Sequence, residues 1–522
     1  VAVRKLWRFH GGLKLAGHKA LSMQQPIAQA PIPKILTLPL HQHIGEPAQP
    51  VVKVGEHVLT GQVIALANGF ISAPVHASSS GTVVAIEKRA IAHPSNIHDD
   101  CIVIETDGKD EWAPLHSLQQ DFKRMDPSEL RNRVRDAGIV GLGGAGFPSF
   151  IKLNPGSKHQ IDTLILNGAE CEPYITCDAM LMLERPREII DGLLIMRHAL
   201  HAKQCLIGIE DNKPEAIRAL TDALTAQEQT IIEVVTVPTR YPAGGEKQLI
   251  KTLTGIEVPS NGLPVHVGIV CHNVGTAVAV ARTIRHGEPL ISRIITVTGN
   301  AMARACNVEA RIGTSMQSLL EFAGLDRNRL DRLLMGGPMM GFVIDEADVP
   351  VIKTTNCLLA MTPQDVAHEE HVMPCIRCGE CTRVCPANLL PQQLYWYARS
   401  KEFDKVENYN LFDCIECGCC TRVCPSHIPL VQYYRYAKTE IWAKERDKQK
   451  SDHARERHEF HQLRMDRKKR EDEERKRKKK EMLEKAAKSD DDKQAAIRAA
   501  MERVNAKKAA QQATQTNKDE SA

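Results

Sequence analysis

Cys375-Ile376-Arg377-Cys378-Gly379-Glu380-Cys381-Thr382-Arg383-Val384-Cys385-Pro386 returns, with the same spacing, as Cys414-Ile415-Glu416-Cys417-Gly418-Cys419-Cys420-Thr421-Arg422-Val423-Cys424-Pro425. A cubane [4Fe–4S] cluster needs four converging thiolates. Three cysteines two residues apart wrap around it, and a fourth comes from elsewhere. In two-cluster proteins of this type the fourth cysteine of each run serves the other cluster. The expected ligand sets are Cys375, Cys378 and Cys381 with Cys424, and Cys414, Cys417 and Cys420 with Cys385. Zinc is the competing reading, but its sites are usually two C-x-x-C pairs and need neither the third cysteine nor the proline. Cys419 reads as a packed neighbour, and the seven cysteines outside the two runs as buried thiols.

The flanks of the runs, Leu390 to Ala398 and Ile428 to Tyr434, have helical spacing, so residues 356–440 read as a helical two-cluster ferredoxin-type domain. Nine of sixteen cysteines fall between Cys375 and Cys424. Clustering of that kind, in a 522-residue chain whose first residues show no secretory pattern, points to metal in a reducing compartment and not to disulfides. Hydrophobic residues at 43% and charged residues at 25% exclude collagen-like and wholly disordered chains. No apolar run is long enough for a transmembrane helix.

Upstream, residues 1–120 read as a β module. Val51 to Val58, Gly61 to Ala65, Ala73 to Val75 and Ser80 to Ile86 alternate Val and Ile between glycine turns. The run resembles the barrel-sandwich of lipoyl and biotinyl domains. The turn His76-Ala77-Ser78-Ser79-Ser80-Gly81 carries no lysine, so it is read as structural and not as a cofactor carrier. Residues 121–288 alternate strand and helix, which implies a Rossmann-like, partly parallel α/β domain. A helix over 127–137 with Asp126 as N-cap, a strand at 163–166 and a mostly helical stretch over 177–202 are expected. They are followed by a strand at 204–209, a helix at 214–224, a strand at 265–270 and a helix at 276–286. Residues 289–355 read as a small β-grasp (SLBB-like) unit, with a strand at 291–297 and a helix at 314–323. Residues 441–522 read as a charged tail, helical to about Lys488 and disordered from Ser489. Between 441 and 488 the tail balance is +7, which leaves the remainder at about −3 of the chain's +4.

Gly141-Leu142-Gly143-Gly144-Ala145-Gly146 formally matches G-x-G-x-x-G. A helix precedes it, and Phe147-Pro148 allows only a short helix after it, which is not the dinucleotide context. Glycines there still let backbone approach a flat or phosphorylated ligand. Asn167-Gly168-Ala169-Glu170-Cys171-Glu172-Pro173 follows a buried strand, the place where α/β sheets bind ligands. Tyr241 to Lys247 and Cys271 to Gly275 occupy similar loops.

In this order the loops resemble the NADH-oxidising 51-kDa subunit of respiratory complex I. With the barrel, the β-grasp unit and the cubane motifs added, residues 1–440 resemble the RnfC family of the Rnf ion-pumping electron transport complexes. The resemblance implies FMN held by Gly141, Gly143, Gly144, Gly146 and Phe147, with Lys152 at its phosphate and Asn167 and Asn273 as further contacts. Glu170, Glu172, Gly244 and Glu246 would complete the flavin and nucleotide site. It also implies NADH as substrate, two [4Fe–4S] clusters and no catalytic acid or base. The family's partners are the membrane subunits of its complex, the ferredoxin-like component of that complex and ferredoxin, at the cytoplasmic face of the bacterial inner membrane; no nucleic acid is expected. Two departures stand out: the family's Gly-Glu-Glu is Gly244-Gly245-Glu246, and the arginine usual second in the flavin loop is Leu142. A soluble flavin and iron–sulfur reductase of the cobalamin-reductase type is the alternative, and a flavin-free electron wire a third reading.

Overall fold

A computed structural model describes residues 4–115, 121–156, 159–366 and 371–516. The chain divides into two compact units, residues 1–438 and 439–522.

The N-terminal module is a pair of small sheets facing one another. One runs in the order Ile35–Pro39, His98–Thr106, Gly81–Ala90, His57–Val58; the other, Gln49–Pro50, Val63–Leu66, Val75–His76. Alternation places Leu36, Leu38, Val83, Ile102 and Ile104 in the shared interior. The lysine-free turn is buried from His76 to Gly81. Ser79 Oγ donates to Asp110 and Ser80 Oγ to Asp107, so the tip is tied inward and could present no swinging cofactor.

The next layer is a four-stranded, wholly parallel sheet in the order Ile232–Val237, Gln204–Glu210, Thr163–Gly168, Ile269–Asn273. Helices cover it, and their starts follow the expected rules. Asp126 accepts the Ser128 N–H ahead of Pro127–Asp136, and Pro214 opens Pro214–Ala223. The expected helix over 177–202 is two helices, Cys177–Glu184 and Pro186–Leu200, because Pro186 cannot continue the first. The expected strand over 265–270 is corrected: Pro264–Val267 is a 3-10 turn, Gly268 takes φ +71, and the strand begins at Ile269. Strand Ile232–Val237 and helix Glu246–Thr254 are additional to the sequence reading.

The β-grasp unit is built on a six-stranded mixed sheet. Its centre is Ser292–Thr298 beside Cys357–Met361, and Ala28–Gln29 adds an edge from far upstream. Cys357–Met361 was expected on the helical flank of the cluster domain. Its run of buried apolar residues instead pairs on both sides within this sheet, past the 355 boundary. Short helices Glu380–Arg383, Pro391–Arg399, Phe403–Asn408 and Cys419–Arg422 frame the cysteine loops, and a long helix begins at Leu430.

That helix continues to Thr516. The expected disorder from Ser489 is therefore corrected over 489–516, where Ala, Lys, Gln, Glu and Arg favour helix without tertiary burial. The last six positions, 517–522, lie outside the described residues. Among the described residues no helix is long and apolar enough to cross a membrane.

Candidate functional site

A cavity of about 730 Å³ opens at the carboxyl ends of strands Thr163–Gly168 and Ile269–Asn273. Every expected cofactor contact except Gly146 lines it. Gly146 instead shapes the glycine loop: its N–H donates to Gly141 O, and a Cβ at its φ of +64 would lie 2.7 Å from Thr354 Cγ2. Gly144, at φ +105, has nothing within 4 Å of a built Cβ. The loop thus presents bare backbone to open space, as a flat ring requires.

The neighbouring loops are held by their own side chains. Asn167 Nδ2 donates to Gly244 O at 2.7 Å and its Oδ1 accepts from Ala169 N. Asn273 caps helix Val274–His286 by accepting from Gly275 N, and its Nδ2 donates to Asp178 at 2.6 Å. Lys152 Nζ donates to Glu246 at 2.5 Å and to Cys271 O at 3.1 Å. Ser149 Oγ and His272 Nε2 are buried without a hydrogen-bond partner, and both residues line the cavity. Two unmet polar groups beside a lysine and a glycine cradle fit a phosphorylated, flat cofactor. Burial holds the His272 imidazole neutral, its pKa pushed down to about 3.

The acidic residues do more structural work than the sequence suggests. Both Glu170 oxygens accept backbone N–H groups, from Asp178 at 2.6 Å and Ala179 at 3.3 Å, so it caps helix Cys177–Glu184. Burial pushes its pKa up to about 7, against the pull of Lys19. Glu172 accepts from Met339 N at 2.7 Å and Met340 N at 3.1 Å, which ties the acidic loop to the Gly336–Gly341 turn of the β-grasp unit. Two lysines that the sequence reading passed over grip this loop's carbonyls. Lys19 Nζ reaches Glu170 O, Glu172 O and Ile175 O; the buried Lys213 reaches Ala169 O at 2.7 Å. Neither sits in a motif, so only the folded chain shows them.

The cysteines gather into two groups. One recess is lined by Cys375, Cys378, Cys381 and Cys424; the other by Cys385, Cys414, Cys417 and Cys420, with Cys419 beside them. Each recess gathers three cysteines of one run with the last cysteine of the other. Four thiols converging on each recess, from two loops, fit a cubane's donor set. The first recess is open, with Cys378 exposed; in the second, Cys385, Cys417 and Cys420 are buried. The buried group packs against the flavin side: Tyr241, Cys417 and Cys419 form one apolar cluster with Cys171 and Ile415, and Ile415 also lines the large cavity.

Matches to known families follow this geometry. Residues 7–109 match the RnfC barrel sandwich hybrid domain and residues 134–282 the Nuo51 FMN-binding domain. Residues 294–343 match the SLBB domain and residues 374–428 the 4Fe–4S dicluster domain. The C component of the ion-translocating oxidoreductase complex of Yersinia pestis is 46% identical over 465 residues, covering 89% of this chain and 74% of the relative. The chain belongs to the RnfC family. The corresponding component of Pseudomonas aeruginosa is 50% identical over 462 residues, or 88% of this chain. The chain spans 59% of that relative's length. A chain of a solved NAD+-reducing [NiFe]-hydrogenase aligns with a TM-score of 0.44 at 18% identity over 62% of each chain, too loose a likeness to bear on function. The two domain matches give this RnfC-family chain an FMN-binding domain and an iron–sulfur domain.

Proposed function

We propose that this chain is the peripheral electron-input subunit of an ion-translocating oxidoreductase, passing electrons between NADH and ferredoxin through FMN and two [4Fe–4S] clusters. One observation carries the reading: the flavin-type cavity and the buried cysteine set share a wall made of Tyr241, Cys171 and Ile415. The exposed set lies in the same domain as the buried one. That order, cavity to buried set to exposed set, is a path from an enclosed site to the surface.

FMN supplies the exchange between two-electron and one-electron chemistry. The residues supply the rest. The glycine loop admits the ring, while Asn167 and Asn273 fix the edges of the cavity. Lys152, Ser149 and His272 offer donors for a phosphate. Phe147 gives an apolar face, and Tyr241 with Ile415 keeps water from the wall toward the clusters. No side chain is asked to move a proton. The membrane partners, including a ferredoxin-like component, and a place on the cytoplasmic face of the inner membrane belong to the same proposal.

The test is anaerobic titration of the full chain, loaded with FMN and iron, with NADH. Bleaching of flavin and cluster absorption together supports the reading. Flavin bleaching with fully oxidised clusters, or no flavin bound at all, overturns it.

A further inference from the structure

Arg293 is a buried cation on the first strand of the β-grasp unit, only 6% exposed, in the run Ile291-Ser292-Arg293-Ile294-Ile295. Its Nη2 donates to Leu142 O at 2.6 Å and its Nη1 to Lys353 O, while its Nε has no partner. It lines the large cavity. It also lines a second space, of about 220 Å³, that shares Leu142, Cys177 and Asp178 with the large cavity. Burial lowers its pKa, against the pull of Cys177 and then Asp178. Burial raises the Asp178 pKa, and its carboxyl is already engaged by Asn273. Among the described residues no carboxylate forms an ion pair with Arg293.

A guanidinium buried on two carbonyls, with no carboxylate in an ion pair with it, keeps an uncompensated desolvation cost unless an anion comes near. The open space it borders on the glycine-loop side is the cavity assigned to FMN. Adding a hydride to bound FMN adds one negative charge, because NADH plus FMN gives NAD+ plus the singly protonated, two-electron-reduced flavin anion.

We infer that Arg293 is a positioning residue for the flavin, reaching across from the β-grasp unit to hold the Leu142 carbonyl and to stabilise the negative charge of the reduced ring. This rests on the FMN reading above. It gives the β-grasp unit a part in the redox chemistry: the unit sets the flavin's potential through one side chain.

Arg293→Gln and Arg293→Lys in the full chain test it, by spectroelectrochemical titration of bound FMN and by affinity for oxidised and for reduced FMN. In Arg293→Gln the preference for reduced over oxidised flavin should fall by about tenfold. For a two-electron couple that lowers the midpoint by about 30 mV. Arg293→Lys keeps the charge and should retain most of the wild-type potential. Should Arg293→Gln fail to hold FMN, Arg293→Lys carries the test alone, and a fall of about 30 mV or more in that variant overturns the assignment. An unchanged potential in Arg293→Gln, or equal weakening of oxidised and reduced FMN, also overturns it. Wild-type chain that binds no FMN would instead sink the flavin reading itself.

Discussion

The phenol of Tyr241 donates to the carbonyl oxygen of Cys417 at 2.7 Å, joining the loop that closes the flavin-type cavity to a cysteine of the buried set. Burial holds the phenol protonated, its pKa driven far above the ordinary value, so this donor persists at every working pH. Tyr241→Phe leaves a buried carbonyl unmet and should cost about 1–2 kcal/mol. Urea unfolding followed by fluorescence measures that loss. Iron and FMN contents should stay at wild-type values, and stopped-flow cluster reduction by NADH should slow relative to flavin bleaching.

Ligand pairing follows from the two recesses. Cys378→Ala and Cys424→Ala should remove the same cluster and leave about four of about eight irons, and combining them should remove no more. Cys424→Ala with Cys385→Ala should remove nearly all. Iron analysis with electron paramagnetic resonance of the reduced chain decides. An additive loss for Cys378 and Cys424 would contradict the crossed sets.

Glu170 gives a pH signature. Its pKa is about 7 in the folded chain and near 4.5 unfolded, so the folded state binds its proton more tightly. That contribution is complete below pH 4.5 and lost as pH rises through 7. Glu170→Gln, which keeps an acceptor for Asp178 N, should match wild type below about pH 4. By pH 8 it should be the more stable, by about 1–3 kcal/mol. Thermal melts of both across this range read the difference, and parallel curves would refute it.

Gly11 adopts φ +65, and a built Cβ would lie 2.5 Å from the Val384 carbonyl carbon and oxygen. Gly11→Ala is therefore strained both in conformation and in space, and should lose about 1–3 kcal/mol. Limited proteolysis within residues 4–22 should accelerate, since that segment is pinned by Gly12 N to Val384 O and by Leu13 to Tyr241.

The cysteine sets were legible because thiolate spacing is itself a geometric constraint, and the flavin-type loops because strand ends were readable around 164–166. Other features escaped for physical reasons. Arg293 sits among isoleucines, and a charge in such a strand reads as a surface position until the fold shows what covers it. Lys19 and Lys213 act on carbonyls, which leave no trace in side-chain patterns. Gly268 splits what looked like one strand, since Val265 and Val267 are as apolar as Ile269. Glu170 and Glu172 were readable as acids at a ligand-binding edge, but that they accept backbone N–H groups was not.

His10 Nδ1 lies 2.9 Å from Cys385 O, 375 positions further along the chain. During synthesis, residues 10–13 emerge long before either Tyr241 or Val384 exists to receive them. Leu13 can meet Tyr241 first, but His10 and Gly12 must wait until the ribosome has made the first cysteine run, and the final closure of the α/β domain upon the cluster domain is thereby deferred to a late, long-range event. A chain halted before residue 384 would carry a complete parallel sheet while His10 and Gly12 still lacked their carbonyl partners.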